Sequence, residues 1–161
     1  EKKWQEIFQS AIVVDSNIWM NQECDFFFTL LEKTLVKFKA KIKISPVQFD
    51  EIVNLKDLPY KDPKSKQARC ALKRIEYFQR ESLVDLSSIK VQTNKKAYAD
   101  PAIIKSLTAY AKDYKEMLLV TNDTELRIRA VQVVNEKSSS KVIALSGKEL
   151  EKELSFYHNS L

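Results

Sequence analysis

The chain has 161 residues, 44% hydrophobic and 30% charged, with a net charge of +5 and a pI near 9.1. That is the composition of an ordinary folded chain able to bury a core; it excludes a disordered tract, and no apolar stretch approaches the ~20 residues a bilayer demands. A basic balance suits a polyanionic partner, because lysine and arginine displace counterions from a phosphate backbone.

Residues 2–9 read as a short amphipathic helix leading into a strand over 11–15, the apolar run Ala11-Ile12-Val13-Val14 closed by Asp15. Phe27, Leu30, Leu31, Thr34, Leu35 and Phe38 recur at helical spacing between about 25 and 39. A second strand spans 41–45. Ser45-Pro46 then starts a short helix, with serine as the cap and proline at the first helical position. The polar stretch 55–63 carries two prolines and reads as an internal loop.

A strong helix follows over about 64–81, with Ala68, Ala71, Leu72, Ile75 and Phe78 on its apolar face and Lys66, Arg69 and Lys73 on another. Residues 83–86 form the third strand, with 89–91 as a rival. Asp100-Pro101 opens a helix through Ala102, Ile103, Leu107, Tyr110, Ala111 and Tyr114. The fourth strand is 117–121, followed by a helix over 123–134, a loop over 135–140, a fifth strand at 142–145 and a last helix from about Gly147.

This alternation predicts a three-layer α/β/α sandwich around a central, mostly parallel sheet of about five strands, as one domain over 1–161. The first residue is glutamate, which is compatible with a domain excised from a longer chain. Without a leader-like segment, the expected location is the cytoplasm, or the nucleus in a eukaryote.

Cys24 and Cys70 stand singly and are expected as free thiols, and the only histidine is His158. A Cys/His zinc cluster and histidine-dependent nucleophilic catalysis are therefore excluded. The single glycine, Gly147, cannot form a glycine-rich phosphate loop, and Asp15-Ser16-Asn17 lacks the second aspartate that a dehalogenase-like phosphatase needs.

What remains is carboxylates. Asp15 and Asp123 each follow an apolar strand, Glu51 lies one helical turn beyond Val47, and Asp100 opens a helix. The C-terminal ends of parallel strands share one rim, and acids gathered there make a hard oxygen-rich pocket suited to Mg²⁺ or Mn²⁺. Plainer readings stand beside this one. Asp15, Asp100 and Asp123 could each only cap a helix, Glu51 could be a solvated charge, and Glu125 is better read as a solvated first-turn acid.

In chain order, Val13-Val14-Asp15-Ser16-Asn17, Ser45-Pro46-Val47-Gln48-Phe49-Asp50-Glu51-Ile52, Asp100-Pro101-Ala102-Ile103-Ile104 and Leu119-Val120-Thr121-Asn122-Asp123-Thr124-Glu125-Leu126-Arg127 resemble the PIN-domain nuclease family. The resemblance runs from Ile12 to about Leu150, departing at Pro101, where a small non-proline residue is more usual. It implies a metal-dependent endoribonuclease with Asp15, Glu51, Asp100 and Asp123 as metal ligands or their organisers. Asn17 and Thr121 would support the pocket, and Lys95 and Lys96 would lie near it.

The resemblance also admits a homodimer, a protein inhibitor such as an antitoxin, a neighbouring domain, or a non-catalytic PIN-like module that binds RNA or protein. Lys66, Arg69 and Lys73 are candidates to grip RNA, against the plainer reading of a solvated face. Arg127 is placed near the pocket or in an ion pair within its helix. Phe26, Phe27, Phe28 and Trp19 are expected in packing and His158 at the surface.

Overall fold

The computed structural model describes residues 2–86 and 102–161. Helix α1 (Lys2–Phe8) buries Trp4, Ile7 and Phe8 and leads into strand β1 (Ala11–Val14). Then come α2 (Ser16–Trp19), α3 (Asp25–Phe38), β2 (Ile42–Lys43), α4 (Pro46–Lys56), α5 (Pro63–Arg80) and β3 (Val84–Asp85). After the undescribed residues follow α6 (Ala102–Tyr110), β4 (Glu116–Val120), α7 (Thr124–Lys137), β5 (Lys141–Leu145) and α8 (Gly147–Asn159).

The five strands are all parallel and lie in the order β3-β2-β1-β4-β5. Central strands of such a sheet are covered on both faces, so they must be apolar throughout rather than alternating. All of β1 is buried, as are Met117 to Val120 of β4. Successive side chains then divide between two cores. Ile12, Val14, Leu118 and Val120 pack with α1, α3, α5 and α8, while Ala11, Val13, Met117 and Leu119 pack with α6 and α7. Each fully buried Val, Leu or Ile contributes about 1.5–3 kcal/mol, which fixes the register of β1 against β4.

Caps set the helix starts, that of Ser45 as the sequence led one to expect. Ser45 Oγ accepts from Gln48 N at 3.1 Å, with Pro46 at the first helical turn. Ser146 and Glu149 form a reciprocal capping box at the start of α8.

Several details differ from expectation. The segment after Asp15, to which the sequence assigned no element, forms the short α2, which Asp15 caps. Helix α7 continues to Lys137, so the following loop begins only at Ser138. The third strand is Val84–Asp85; its rival at 89–91 and the Asp100-Pro101 helix start lie outside the described residues. Leu72 is only half-buried, since it sits at the edge of the α5 stripe. Phe27, Phe28 and Trp19 are core residues, but Phe26 is 56% exposed because it falls on the opposite face of α3. His158 is half-buried rather than at the surface, with Nε2 2.9 Å from Thr34 Oγ1.

Candidate active site

From β1 the chain builds outward to β2 and β3 on one side, then returns to place β4 and β5 on the other. The reversal falls between β1 and β4. Outside the carboxyl ends of strands at such a switch point, the flanking helices diverge and leave a crevice. Asp15 and Thr121 are the first residues past those two ends. Val14 pairs with Val120, Asp15 N donates to Val120 O at 2.9 Å, and Thr121 N donates to Leu145 O at 3.0 Å.

Asp15 is both a cap and a site residue. One carboxylate oxygen accepts from Ser16 N at 2.7 Å, and the other from Thr121 Oγ1 at 2.7 Å. Burial raises its pKa above the usual carboxylate value, the two hydrogen bonds oppose that, and the charge of Asp123 adds to the rise. The hydroxyl of Ser16 is also buried and has no hydrogen-bond partner. A buried polar atom left without a partner beside a half-buried carboxylate leaves room for a further polar group to satisfy it.

Asp123 caps α7, its Oδ1 accepting from Leu126 N at 3.1 Å. Thr121 ties it to Asp15. Its fully buried hydroxyl accepts from Asp123 N at 3.1 Å while donating to Asp15. Asn17, exposed on α2, reaches across with Nδ2 3.4 Å from Thr121 Oγ1 and Oδ1 3.5 Å from Asn122 N. Of the two placements considered for Arg127, the one beside the pocket holds, and among the described residues it forms no ion pair. Its Nη1 donates to Thr121 O at 2.7 Å and its Nη2 to Thr124 Oγ1 at 3.0 Å, bracing the turn between β4 and α7.

Glu51 lies exposed on α4, yet its pKa is raised, by partial burial first and by the charge of Asp15 second. The acids at 15, 51 and 123 therefore share one field: Asp15 is pushed by Asp123, and Glu51 by Asp15. Among the described residues, no three His, Cys, Asp or Glu side chains converge tightly enough to hold a metal ion. Asp100, Lys95 and Lys96 lie outside the described residues.

Two residues that hold the site were missed in the sequence. Gln48 is buried, and its Nε2 donates to Val14 O at 2.5 Å, anchoring α4 to the end of β1 just before Asp15. Three residues after the Ser45 cap, it has the spacing of a capping-box partner, which hides its long-range role. Asn122 Oδ1 accepts from Gly147 N at 3.1 Å, joining the start of α8 to the same turn. A Cβ at Gly147 would come within 3.1 Å of Ile18 Cδ1, so the chain's single glycine permits this approach.

Other candidates lie elsewhere. Lys66, Arg69 and Lys73 line a groove between α3 and α5 rather than the acidic crevice. Glu125 pairs with Arg129 one turn along α7 at 2.9 Å and is largely exposed, as a solvated acid should be. Cys24 and Cys70 are free thiols.

A protein-family model described as PIN domain matches residues 12–134, well over half of the chain. The match begins in β1, ends in α7 and takes in the Asp15, Glu51 and Asp123 segments. No curated protein matches the chain.

Proposed function

The chain belongs to the PIN-domain family, and from that premise we propose that it is a metal-dependent endoribonuclease. PIN domains are generally nucleases that use divalent metals such as Mg²⁺ or Mn²⁺ and generally bind RNA. The observation that carries the reading is the pairing across the switch point: Asp15, half-buried and held by Thr121, has its pKa raised by burial and further by Asp123. Excess negative charge in a partly dry crevice is what a divalent cation offsets.

The residues present fit such an ion. Mg²⁺ usually takes only one or two carboxylates, with waters completing its shell, so Asp15 and Asp123 suffice without a tight cluster of three. We assign Glu51 and Asp100 to the same site as outer or direct ligands. When bound, the ion would supply Lewis acidity toward a phosphodiester and acidify a coordinated water. The protein's own contribution is to hold both Asp15 oxygens in place from Ser16 N and Thr121 Oγ1, so that little reorientation is needed when substrate arrives. Asn17, on the exposed rim, and Lys95 and Lys96 are assigned to contact the strand. His158 is engaged with Thr34 on α3 and is not part of this arrangement.

The second reading is a PIN-like module that binds RNA without cutting it, favoured by the lack of a three-acid cluster among the described residues. Calorimetric titration with Mn²⁺ separates the two. The nuclease reading expects saturable binding by the native chain and none by Asp15→Asn; equal binding by the variant overturns it.

A further inference from the structure

We propose that the groove between α3 and α5 is a binding track for unpaired nucleic acid, with Tyr60 as its base-stacking platform. This rests on the nuclease reading for its purpose and narrows the substrate to a single strand. Tyr60, in the loop between α4 and α5, is 78% exposed, an unusual position for a large aromatic ring. It is also held in place: the Arg69 guanidinium lies over the ring, 4.0 Å from its centroid, and Arg69 Nη1 is anchored on Ser65 Oγ at 2.6 Å. A ring fixed by a cation on one face and open to solvent elsewhere offers a flat surface to a base. Only an unpaired base can present its own face to such a ring.

The charges around it complete the argument. Lys61, Lys66, Arg69, Lys73 and Arg74 line the groove, against Asp25 and Glu32. Both acids are already engaged, Asp25 with Arg74 at 2.6 Å and Glu32 with the Tyr77 hydroxyl at 2.6 Å. Among the described residues, Lys61, Lys66 and Lys73 form no ion pair, so their charge faces solvent. Lys66 and Lys73 stand one heptad apart on α5, about 10 Å along its axis, on the stripe that carries Arg69. Cations along a groove, with a stacking ring at one end, are how proteins hold a single strand without reading its sequence.

The groove also leads toward the candidate active site. Gln22 and Gln67 line it, and they line as well the neighbouring depression that contains Ser16 and Asn17. Arg74 fixes the connection, donating to Trp19 O at 2.9 Å and Asn21 O at 2.6 Å, so α5 grips the end of α2 directly. A strand seated on Tyr60 and the α5 lysines can thus continue past α2 to the Asp15 rim.

The test is binding of a short labelled oligouridine to the full chain in EDTA, by fluorescence anisotropy across a salt series. No cutting occurs under these conditions, so the result does not depend on catalysis. Tyr60→Ala is expected to weaken binding about 5- to 150-fold, the usual loss of one base–aromatic stack, with Tyr60→Phe retaining it. Lys66→Gln with Lys73→Gln should flatten the slope of log affinity against log salt by roughly 0.7 per lysine. These side chains are all exposed, so the variants keep the fold. Native affinity in Tyr60→Ala overturns the proposal, and so does a blunt duplex that binds as tightly as the single strand. An acidic peptide that takes the groove while the RNA does not also overturns it. Binding with the expected dependence by a chain that fails to cut RNA in Mn²⁺ supports the track and removes only the nuclease reading.

Discussion

Replacing Thr121 by valine keeps the shape of a fully buried side chain and removes one hydroxyl, which isolates the hinge between the two aspartates. That hydroxyl donates to Asp15 Oδ2 at 2.7 Å and accepts from Asp123 N at 3.1 Å. Losing a hydrogen bond to a charged group costs about 1.5–3 kcal/mol, and losing the neutral one from Asp123 N about 0.5–1.5 more. Asp15 can escape part of the penalty by taking a proton, which burial already favours, so the sum is set near 3 kcal/mol. For a chain of this size that corresponds to a melting temperature lower by about 6–12 °C. Thr121→Ser keeps the hydroxyl and loses a methyl, for about 1 kcal/mol. Urea unfolding of the three proteins in EDTA makes the comparison. Cleavage should also fall about 10- to 100-fold in the valine variant, as for other residues that orient a metal ligand. Thr121→Val unfolding within 0.5 kcal/mol of native, or no more easily than Thr121→Ser, would refute this account of the hinge.

Other substitutions follow from the same reasoning. Asp15→Asn should abolish cleavage while costing under about 2 kcal/mol in the chain without metal, because the hydrogen bond lost at one oxygen is partly offset by removing a half-buried charge whose protonation burial favours; a larger loss of stability would contradict that. Arg74→Ala should cost about 2–4 kcal/mol, since its guanidinium serves Trp19 O and Asn21 O, whereas Asp25→Asn, on a carboxylate 86% exposed, should cost under about 1 kcal/mol. Similar losses by denaturation would place the energy in the ion pair instead. The Tyr110 hydroxyl is pushed up to about 12, by burial first, against the opposing charge of Lys43. The folded chain then keeps a proton that the unfolded one releases near pH 10, so this contribution is intact below pH 10 and is lost as pH rises toward about 12. Tyr110→Phe should flatten that decline in an alkaline urea series, and an unchanged slope would show that other groups cause it.

The positions of Asp15 and Asp123 were legible because each follows closely on an apolar run buried on both faces, a pattern that local burial alone dictates. Their sharing one rim was expected from the parallel strands and the family resemblance, but the strand order that sets β1 beside β4 was not, because it comes from long-range pairing that no local window contains. The four-residue α2 has no period to read; its only signal was Asp15 followed by Ser16, which a strand end explains equally well. Gln48 was concealed by its resemblance to a cap, and the sequence left Arg127 between the pocket and an ion pair within its helix. Tyr60 carried no signal at all. It sits in a loop, and only the fold brings Arg69 over its ring. The sequence supplied Asp100 as a candidate, and its placement lies outside the described residues.

The most direct measurement is cleavage of a labelled single-stranded RNA by the purified chain with Mn²⁺ or Mg²⁺, with EDTA, and with Asp123→Asn in place of the native protein. The account predicts cutting that needs the metal and disappears in both controls. Cutting that persists in EDTA or in a well-folded Asp123→Asn chain would contradict a metal-dependent site between β1 and β4.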